Sequence, residues 1–223
     1  MAAFFVTGAG TDIGKTWAAA ALLRHWRLAG LGPEAVKPVA TGYDPEHPED
    51  SDAAALLKAL GRPVTSATVE AMTPIRFREP LSPDQAARRD GGWITAKSVV
   101  TACWPTLALA KGPVLVEGAG GAMAPLNDSE TMLDLAVALG LPAIFLAASH
   151  LGAISHALTG LAVLKGRGVP VPLVLVNETP DSAVDLHETA ATVAGHARGS
   201  AVLAIPRGAD GPVWAEASRI LGV

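Results

Sequence analysis

Lys15 and Thr16 stand side by side after Gly14, preceded by Gly8-Ala9-Gly10-Thr11-Asp12-Ile13 and followed by an Ala/Leu-rich run from Trp17. A lysine and a hydroxyl after a glycine turn are the residue types that hold a polyphosphate. Backbone N–H groups of the loop and of the first helical turn face the oxygens, the lysine reaches the terminal phosphates, and the hydroxyl binds Mg²⁺. The usual spacing is G-x-x-x-x-G-K-[ST]. Counted back from Gly14, its first position falls on Ala9, with Gly8 one residue further out. A glycine turn with no nucleotide is the plainer alternative. Against it, Ala2–Thr7 is a short apolar, β-favouring run, so Gly-Lys-Thr sits at a strand–helix junction.

Two more charged residues stand where charge is costly. Glu117 ends the apolar run Val114-Leu115-Val116 and is followed by Gly118-Ala119-Gly120-Gly121, a pattern for a carboxylate beside a Mg²⁺–phosphate centre with small residues allowing close approach of a ligand. Lys37 lies within the apolar stretch Ala35–Val39, where an ammonium costs free energy unless it meets a partner or a ligand anion. Asp52 sits near Asp44, Glu46, Glu49 and Asp50, and composition leaves open whether it binds metal or faces water. His150 and His156 have no Cys, Asp or Glu at metal-ligand spacing and read as residues that cap or line a helix from Ile154. Cys103 is the single cysteine, which excludes an intrachain disulfide and a cysteine metal cluster and fits a reducing cytoplasm.

Alternating elements must position these groups. A helix is expected over Trp17–Ala29, with Leu22, Leu23 and Trp26 on one face and Gly30-Leu31-Gly32-Pro33 ending it. A strand over Ala35–Val39 carries Lys37, and Ser51 can cap a helix Asp52–Leu60. Gly61–Arg89, rich in Pro, Thr and charge, is expected to be mostly loop with a short helix near Asp84–Arg89. Thr95–Lys111 is helical in pattern, with Pro105 expected to bend or break it.

Val114–Glu117 is a buried-type strand. Three strand–helix units follow: Ala143–Ala147 with Ile154–Arg167, Val171–Val176 with Ser182–Gly195, and Ala201–Ile205 with Val213–Leu221. The pattern predicts an α/β fold: one domain over residues 1–223, a P-loop NTPase-like parallel sheet with helices on both faces. Ligands of such sheets bind beyond the carboxyl ends of the strands. Lys15, Thr16, Thr41, Glu117, Asn177 and Pro206 all fall there.

Composition narrows the partners. The 223 residues are 50% hydrophobic, enough for a continuous core, and the net charge of −4 with no Lys/Arg run argues against a nucleic-acid surface. The longest apolar stretch, Leu133–Ala148, is interrupted by Asp134, Gly140 and Pro142 and falls short of a bilayer span. The N-terminus reads as a structural strand, with no basic flank of the signal-peptide kind. A soluble, cytoplasmic protein that binds neither nucleic acid nor membrane is expected.

The chain resembles the dethiobiotin synthetases over nearly its full length. The resemblance rests on Phe5-Val-Thr-Gly8, Thr11-Asp-Ile-Gly-Lys-Thr16, Lys37-Pro-Val-Ala-Thr-Gly42, Ser51-Asp52, Glu79-Pro-Leu-Ser-Pro83, Val114-Leu-Val-Glu-Gly-Ala-Gly-Gly121, Leu151-Gly-Ala-Ile-Ser-His156 and Val176-Asn177. It implies closure of a ureido ring from diaminopelargonic acid, CO₂ and ATP with Mg²⁺, in biotin biosynthesis. One amine becomes a carbamate, the carbamate oxygen attacks the γ-phosphate, and the second amine displaces phosphate.

By the same resemblance Lys37, Lys15 and Thr11 are catalytic, and Thr16, Asp52 and Glu117 hold the metal. The nucleotide is bound by Asp12, Ile13, Gly14, Lys15, Thr16 and Trp17, by Asp52 and Glu117 to Gly120, and at the adenine edge by Asn177, Glu178, Pro206, Arg207 and Gly208. The diamine meets Lys37, Thr41 in place of a common serine, and Ser155 across a homodimer interface. Three departures stand out. The usual Gly-Thr-Asp-Thr loop is Gly8-Ala-Gly-Thr11, Asp12 replaces a common glutamate with shorter reach, and Ser155 replaces a frequent asparagine near the bound substrate carboxylate.

Two other classes share the loop style. Deviant-loop ATPases that partition chromosomes or position division sites carry a signature lysine where this chain has Gly10. Cobyrinic-acid-type synthetases usually carry a glutaminase domain, for which this length leaves no room.

Overall fold

The computed structural model describes residues 2–223. β1 (Ala3–Gly8) leads into α1 (Lys15–Leu28), then β2 (Glu34–Val36), β3 (Val39–Ala40), α2 (Asp52–Ala59), α3 (Ser66–Met72), β4 (Ile75–Arg76), α4 (Pro83–Arg89) and α5 (Ala96–Leu109). The second half alternates regularly: β5 (Val114–Glu117), α6 (Met132–Leu139), β6 (Ala143–Ala148), α7 (Ala153–Gly166), β7 (Leu173–Asn177), α8 (Leu186–His196), β8 (Ala201–Ile205) and α9 (Gly211–Leu221).

Six strands form one sheet in the order β2-β5-β1-β6-β7-β8, parallel at each pairing. From β1 the chain crosses to one side, and it later returns to build β6, β7 and β8 on the other. The crevice beyond the carboxyl end of β1 is therefore a switch point. The expected α/β architecture is the observed one.

Alternation along β1 assigns its side chains to two cores. Phe4 and Val6 pack with Leu22, Leu23 and Trp26 of α1 and with residues of α2, α3 and α9. Phe5 packs with α5, α6, α7 and α8. Both faces of the sheet are thus dry, which is why its strands read as continuous apolar runs.

Three local expectations change. The strand carrying Lys37 stops at Val36, and the Lys37 N–H donates instead to the Met72 carbonyl at 2.9 Å. Pro38 has no N–H with which to continue the ladder, so the chain leaves the main sheet and pairs β3 with β4 in a separate two-stranded sheet. Within the segment expected to be mostly loop, α3 forms behind a reciprocal cap of Thr65 and Thr68, while α4 lies where expected. Pro105 does not end α5. Thr101 and Pro105 lie on its exposed side, where the carbonyl left without a donor can be solvated. Part of the apolar stretch 133–148 is α6, capped by Thr131 and Asp134. Among the described residues no helix is long and apolar enough to cross a membrane.

Candidate active site

Close backbone packing shapes the turn after β1. Gly14, the N-cap of α1, has φ 86°, and a Cβ there would lie 2.5 Å from Asn177 Nδ2. That same Nδ2 donates to the Ile13 carbonyl at 2.6 Å, tying the turn to the end of β7. A Cβ on Gly8 would sit 2.5 Å from the Leu146 carbonyl oxygen. Gly10 and Gly121 pack backbone to backbone, and Ala122 N–H donates to the Gly8 carbonyl at 2.9 Å. Ala9 does not adopt a positive φ, so the motif's missing first glycine costs no strain; Asp12 does, at 56°. Aspartate tolerates that left-handed region better than most side chains.

Lys15 is buried and its Nζ donates to the Gly10 carbonyl at 2.6 Å. Burial is the largest influence on this ammonium. Even with Glu117 raising it, burial together with the nearby Lys37 brings its pKa down to about 8.

Lys37, Asp52, Glu117 and Thr16 converge next to it. Lys37 Nζ lies 2.6 Å from Glu117 Oε1 and 2.7 Å from Asp52 Oδ2, and the Thr16 hydroxyl donates to Glu117 Oε1 at 2.6 Å. Burial disfavours the Lys37 charge, but the Glu117 and Asp52 carboxylates together outweigh it and hold its pKa above the ordinary lysine value. Partial burial works against ionised Asp52 as well, and Lys37 and Thr16 prevail, holding it below the usual carboxylate value.

Ser51 caps α2 through the Ala54 N–H, which sets Asp52 in the first turn of that helix. Glu117 Oε2 is buried and without a hydrogen-bond partner among the described residues. An orphaned carboxylate oxygen beside a threonine hydroxyl and a second carboxylate is a hard oxygen donor set, and it suits a divalent cation such as Mg²⁺.

This centre opens into a cleft of about 810 Å³ that also takes in Thr11, Asp12, Gly14, Trp17, Thr41, Ala119 and Gly120. Pro80, Leu81, Ser82 and Pro83 form its far wall. The sequence reading gave these four no role, although a serine between prolines beside a helix start marks a rigid, backbone-exposing loop.

A second cleft, of about 410 Å³, shares Thr11, Asp12, Gly14 and Trp17 and continues past Ile13 to Asn177, Glu178, Pro206, Arg207 and Gly208. Its lips are joined where Glu178 Oε2 accepts from the Arg207 N–H at 2.8 Å. His150 also lines it. His150 and His156 stack edge-on at 6.2 Å around the start of α7. Two expected site residues stay outside both clefts. Gly118 packs on the Phe5 ring, and Ser155 lies exposed in the first turn of α7.

A family model described as an AAA domain matches residues 2–210. The ATP-dependent dethiobiotin synthetase of Caulobacter vibrioides is 44% identical over 209 residues, covering 93% of each chain. This chain belongs to the ATP-dependent dethiobiotin synthetase family. Its Phenylobacterium zucineum relative is 42% identical over 97% of this chain and 93% of that one, and its Methylobacterium nodulans relative is 44% identical over 95% and 96%.

Solved structures outside the dethiobiotin synthetases share the fold alone. The 54 kDa signal recognition particle protein of Aeropyrum pernix, in complex with GDP, matches with TM-score 0.53 at 16% identity, over 99% of this chain and 46% of that one. The MinC:MinD cell division complex of Aquifex aeolicus matches with TM-score 0.53 at 11% identity, over 91% and 79%.

Proposed function

We propose that this chain forms dethiobiotin in biotin biosynthesis, closing the ureido ring of diaminopelargonic acid with CO₂ at the expense of ATP. The observation that carries this reading is the full-length relation to ATP-dependent dethiobiotin synthetases. The grouping of two buried lysines with a hydroxyl and two carboxylates suits the chemistry.

In the proposed reaction one amine nitrogen bonds to CO₂ and loses a proton, giving a carbamate. A carbamate oxygen then bonds to the γ-phosphorus as ADP leaves. The second amine attacks the carbonyl carbon, expelling inorganic phosphate and a proton. Each step gathers anionic oxygens in one place, so cations are the need.

The glycine turn and the N-terminus of α1 would hold the triphosphate, with Lys15 at its terminal oxygens and Thr11 at the junction of the two clefts. An ammonium has three N–H donors. Glu117 and Asp52 engage two of those on Lys37, which leaves one for the carbamate oxygen. Mg²⁺, held by Thr16, Asp52 and Glu117, would neutralise phosphate charge. Thr41 would hydrogen-bond the diamine, and Asn177 with Pro206 to Gly208 would border the adenine. We further read the protein as a cytoplasmic homodimer in which Ser155, exposed at the start of α7, meets the substrate carboxylate from the partner subunit.

The test is phosphate release from Mg-ATP in bicarbonate buffer, with and without diaminopelargonic acid, and with dethiobiotin followed by mass. Phosphate should appear only with the diamine and match dethiobiotin mole for mole. Diamine-independent hydrolysis without product would overturn the reading and move the chain to the nucleotide-switch ATPases.

A further inference from the structure

In the far wall of the larger cleft, Ser82 is the one residue with a polar side chain, and the chemistry proposed above gives it no part. It is the N-cap of α4, where a serine oxygen ordinarily accepts from a backbone N–H of the first turn. Here it makes no such bond. Pro83 has no N–H to offer, and the Asp84 N–H donates instead to the Pro125 carbonyl at 3.2 Å.

The hydroxyl is aimed by its neighbours. Ser82 Oγ donates to Asp84 Oδ1 at 2.5 Å, and Asp84, 7% exposed, pairs through Oδ2 with Arg88 one turn along α4. Arg88 also meets Asp128 Oδ1 at 2.5 Å, so the first turn of α4 is tied to the 125–128 loop from two sides. A carboxylate paired with a guanidinium only accepts, whereas a serine hydroxyl has one proton and two lone pairs. With its proton given to Asp84, Ser82 Oγ keeps only lone pairs, and no partner among the described residues donates to them. Lys15 and Lys37 in the same cleft only donate, and the two carboxylates beside them are committed to Lys37 and, in the reading above, to Mg²⁺.

We propose that Ser82 accepts an amine N–H of the diamine, and that Asp84 and Arg88 are positioning residues that keep its hydroxyl in the accepting orientation. The proposal rests on the reading of this cleft as the diamine site. It assigns specificity to the contact, because a site built to hydrogen-bond a substrate N–H discriminates against the analogue that lacks it.

Calorimetric titration of the full chain in Mg-ADP tests this with three probes: diaminopelargonic acid and the two monoamines of the same skeleton, each lacking one amine. Wild type should bind the diamine about tenfold tighter than the monoamine without the contacting amine. Ser82→Ala should weaken the diamine by about tenfold and that monoamine by no more than about twofold, erasing the preference, with Mg-ADP affinity within about twofold of wild type. Ser82→Thr, which keeps the hydroxyl, should restore most of the loss. Asp84→Asn tests the orientation. Arg88 only donates, so it would hold the amide oxygen; the amide nitrogen would then donate to Ser82 Oγ and turn the hydroxyl proton into the cleft. Diamine affinity should fall at least as far as in Ser82→Ala. If Asp84→Asn fails to fold, Ser82→Ala carries the test alone, since it removes an oxygen that makes no cap bond. Equal weakening of all three probes would show a merely structural role and overturn the proposal, as would wild-type diamine affinity in either variant. A wild-type chain that makes no dethiobiotin fails the reading of function; one that makes it, while Ser82→Ala keeps its preference for the diamine, fails this proposal alone.

Discussion

The two clefts share Thr11, Asp12, Gly14 and Trp17 yet are built in opposite ways. The larger one concentrates ionised groups out of water. Lys37 and Glu117 are 5% and 1% exposed at their side chains, and Lys15 is driven down to about 8 by burial first and by Lys37 after it. The smaller one holds no buried ion pair: its charged residues Asp12, Glu178 and Arg207 are exposed, and the rest of its wall is Ile13, Ile205, Trp17, prolines and small or uncharged polar residues, with the Asn177 amide stitched to the Ile13 carbonyl. The difference teaches a division of labour: the larger cleft stores electrostatic cost that a polyanionic reaction can use, and the smaller one supplies shape and affinity cheaply.

Replacing Lys37 should have the largest effect. Lys37→Gln is expected to lower the dethiobiotin formation rate by about 10²- to 10³-fold or more, as loss of one preorganised charge at a reacting centre does. It also leaves Glu117 buried without its cation, at a cost of about 3 kcal/mol in stability. Single-turnover product formation and urea unfolding check the two parts, and an unaltered rate would remove Lys37 from the chemistry.

Lys15→Met should divide its effects by state. Nucleotide binding is expected to weaken by about a hundredfold, in line with loss of a buried charge-assisted contact. The free protein, without nucleotide or divalent cation, should become more stable at pH 7. A lysine whose folded pKa is depressed takes up fewer protons when folded than when unfolded, so its penalty is full below about pH 8 and is relieved as pH rises toward 10.5. The drop corresponds to at most about 3 kcal/mol. Melting temperatures of the two proteins at pH 7 and above pH 10 should therefore converge at the higher pH; a destabilised variant at pH 7 would contradict the stored cost.

Asn177→Ala probes the smaller cleft and should cost less. The Ile13 carbonyl loses its donor, and the buried Asn177 Oδ1, which has no partner among the described residues, is no longer available to a base-edge N–H. ATP affinity should fall by about tenfold, with turnover at saturating ATP close to wild type; a collapse of saturated turnover would break the division of labour. Asp12→Gly is the smallest change. Relieving φ 56° should stabilise the free chain by about 0.5–1 kcal/mol, read from thermal melts.

The phosphate turn and Glu117 were legible because each joins an apolar strand to a run of small residues, a pattern that admits few other uses. The burial of Lys37 was also legible, but its departure from the sheet was not. Pro38 signals a break only once the neighbouring strand is known. Asp52 was hidden among Asp44, Glu46, Glu49 and Asp50, and the helix begun by Ser51 is what sets it apart. The β3–β4 pair is two residues on each side, too short to carry any periodicity. The cap of α3 uses Thr65 and Thr68 where a glutamate is the usual signal. The edge-on contact of Trp17 with Trp214 joins the first helix to the last, and no local pattern links them.

The most direct test of the division of labour is calorimetric titration of Mg-ATP into Lys37→Gln. An affinity within about threefold of wild type, in a variant that makes essentially no dethiobiotin, would place Lys37 at the carbamate and γ-phosphate as proposed. Affinity lost in parallel with activity would contradict it, and would make Lys37 part of the nucleotide-holding framework.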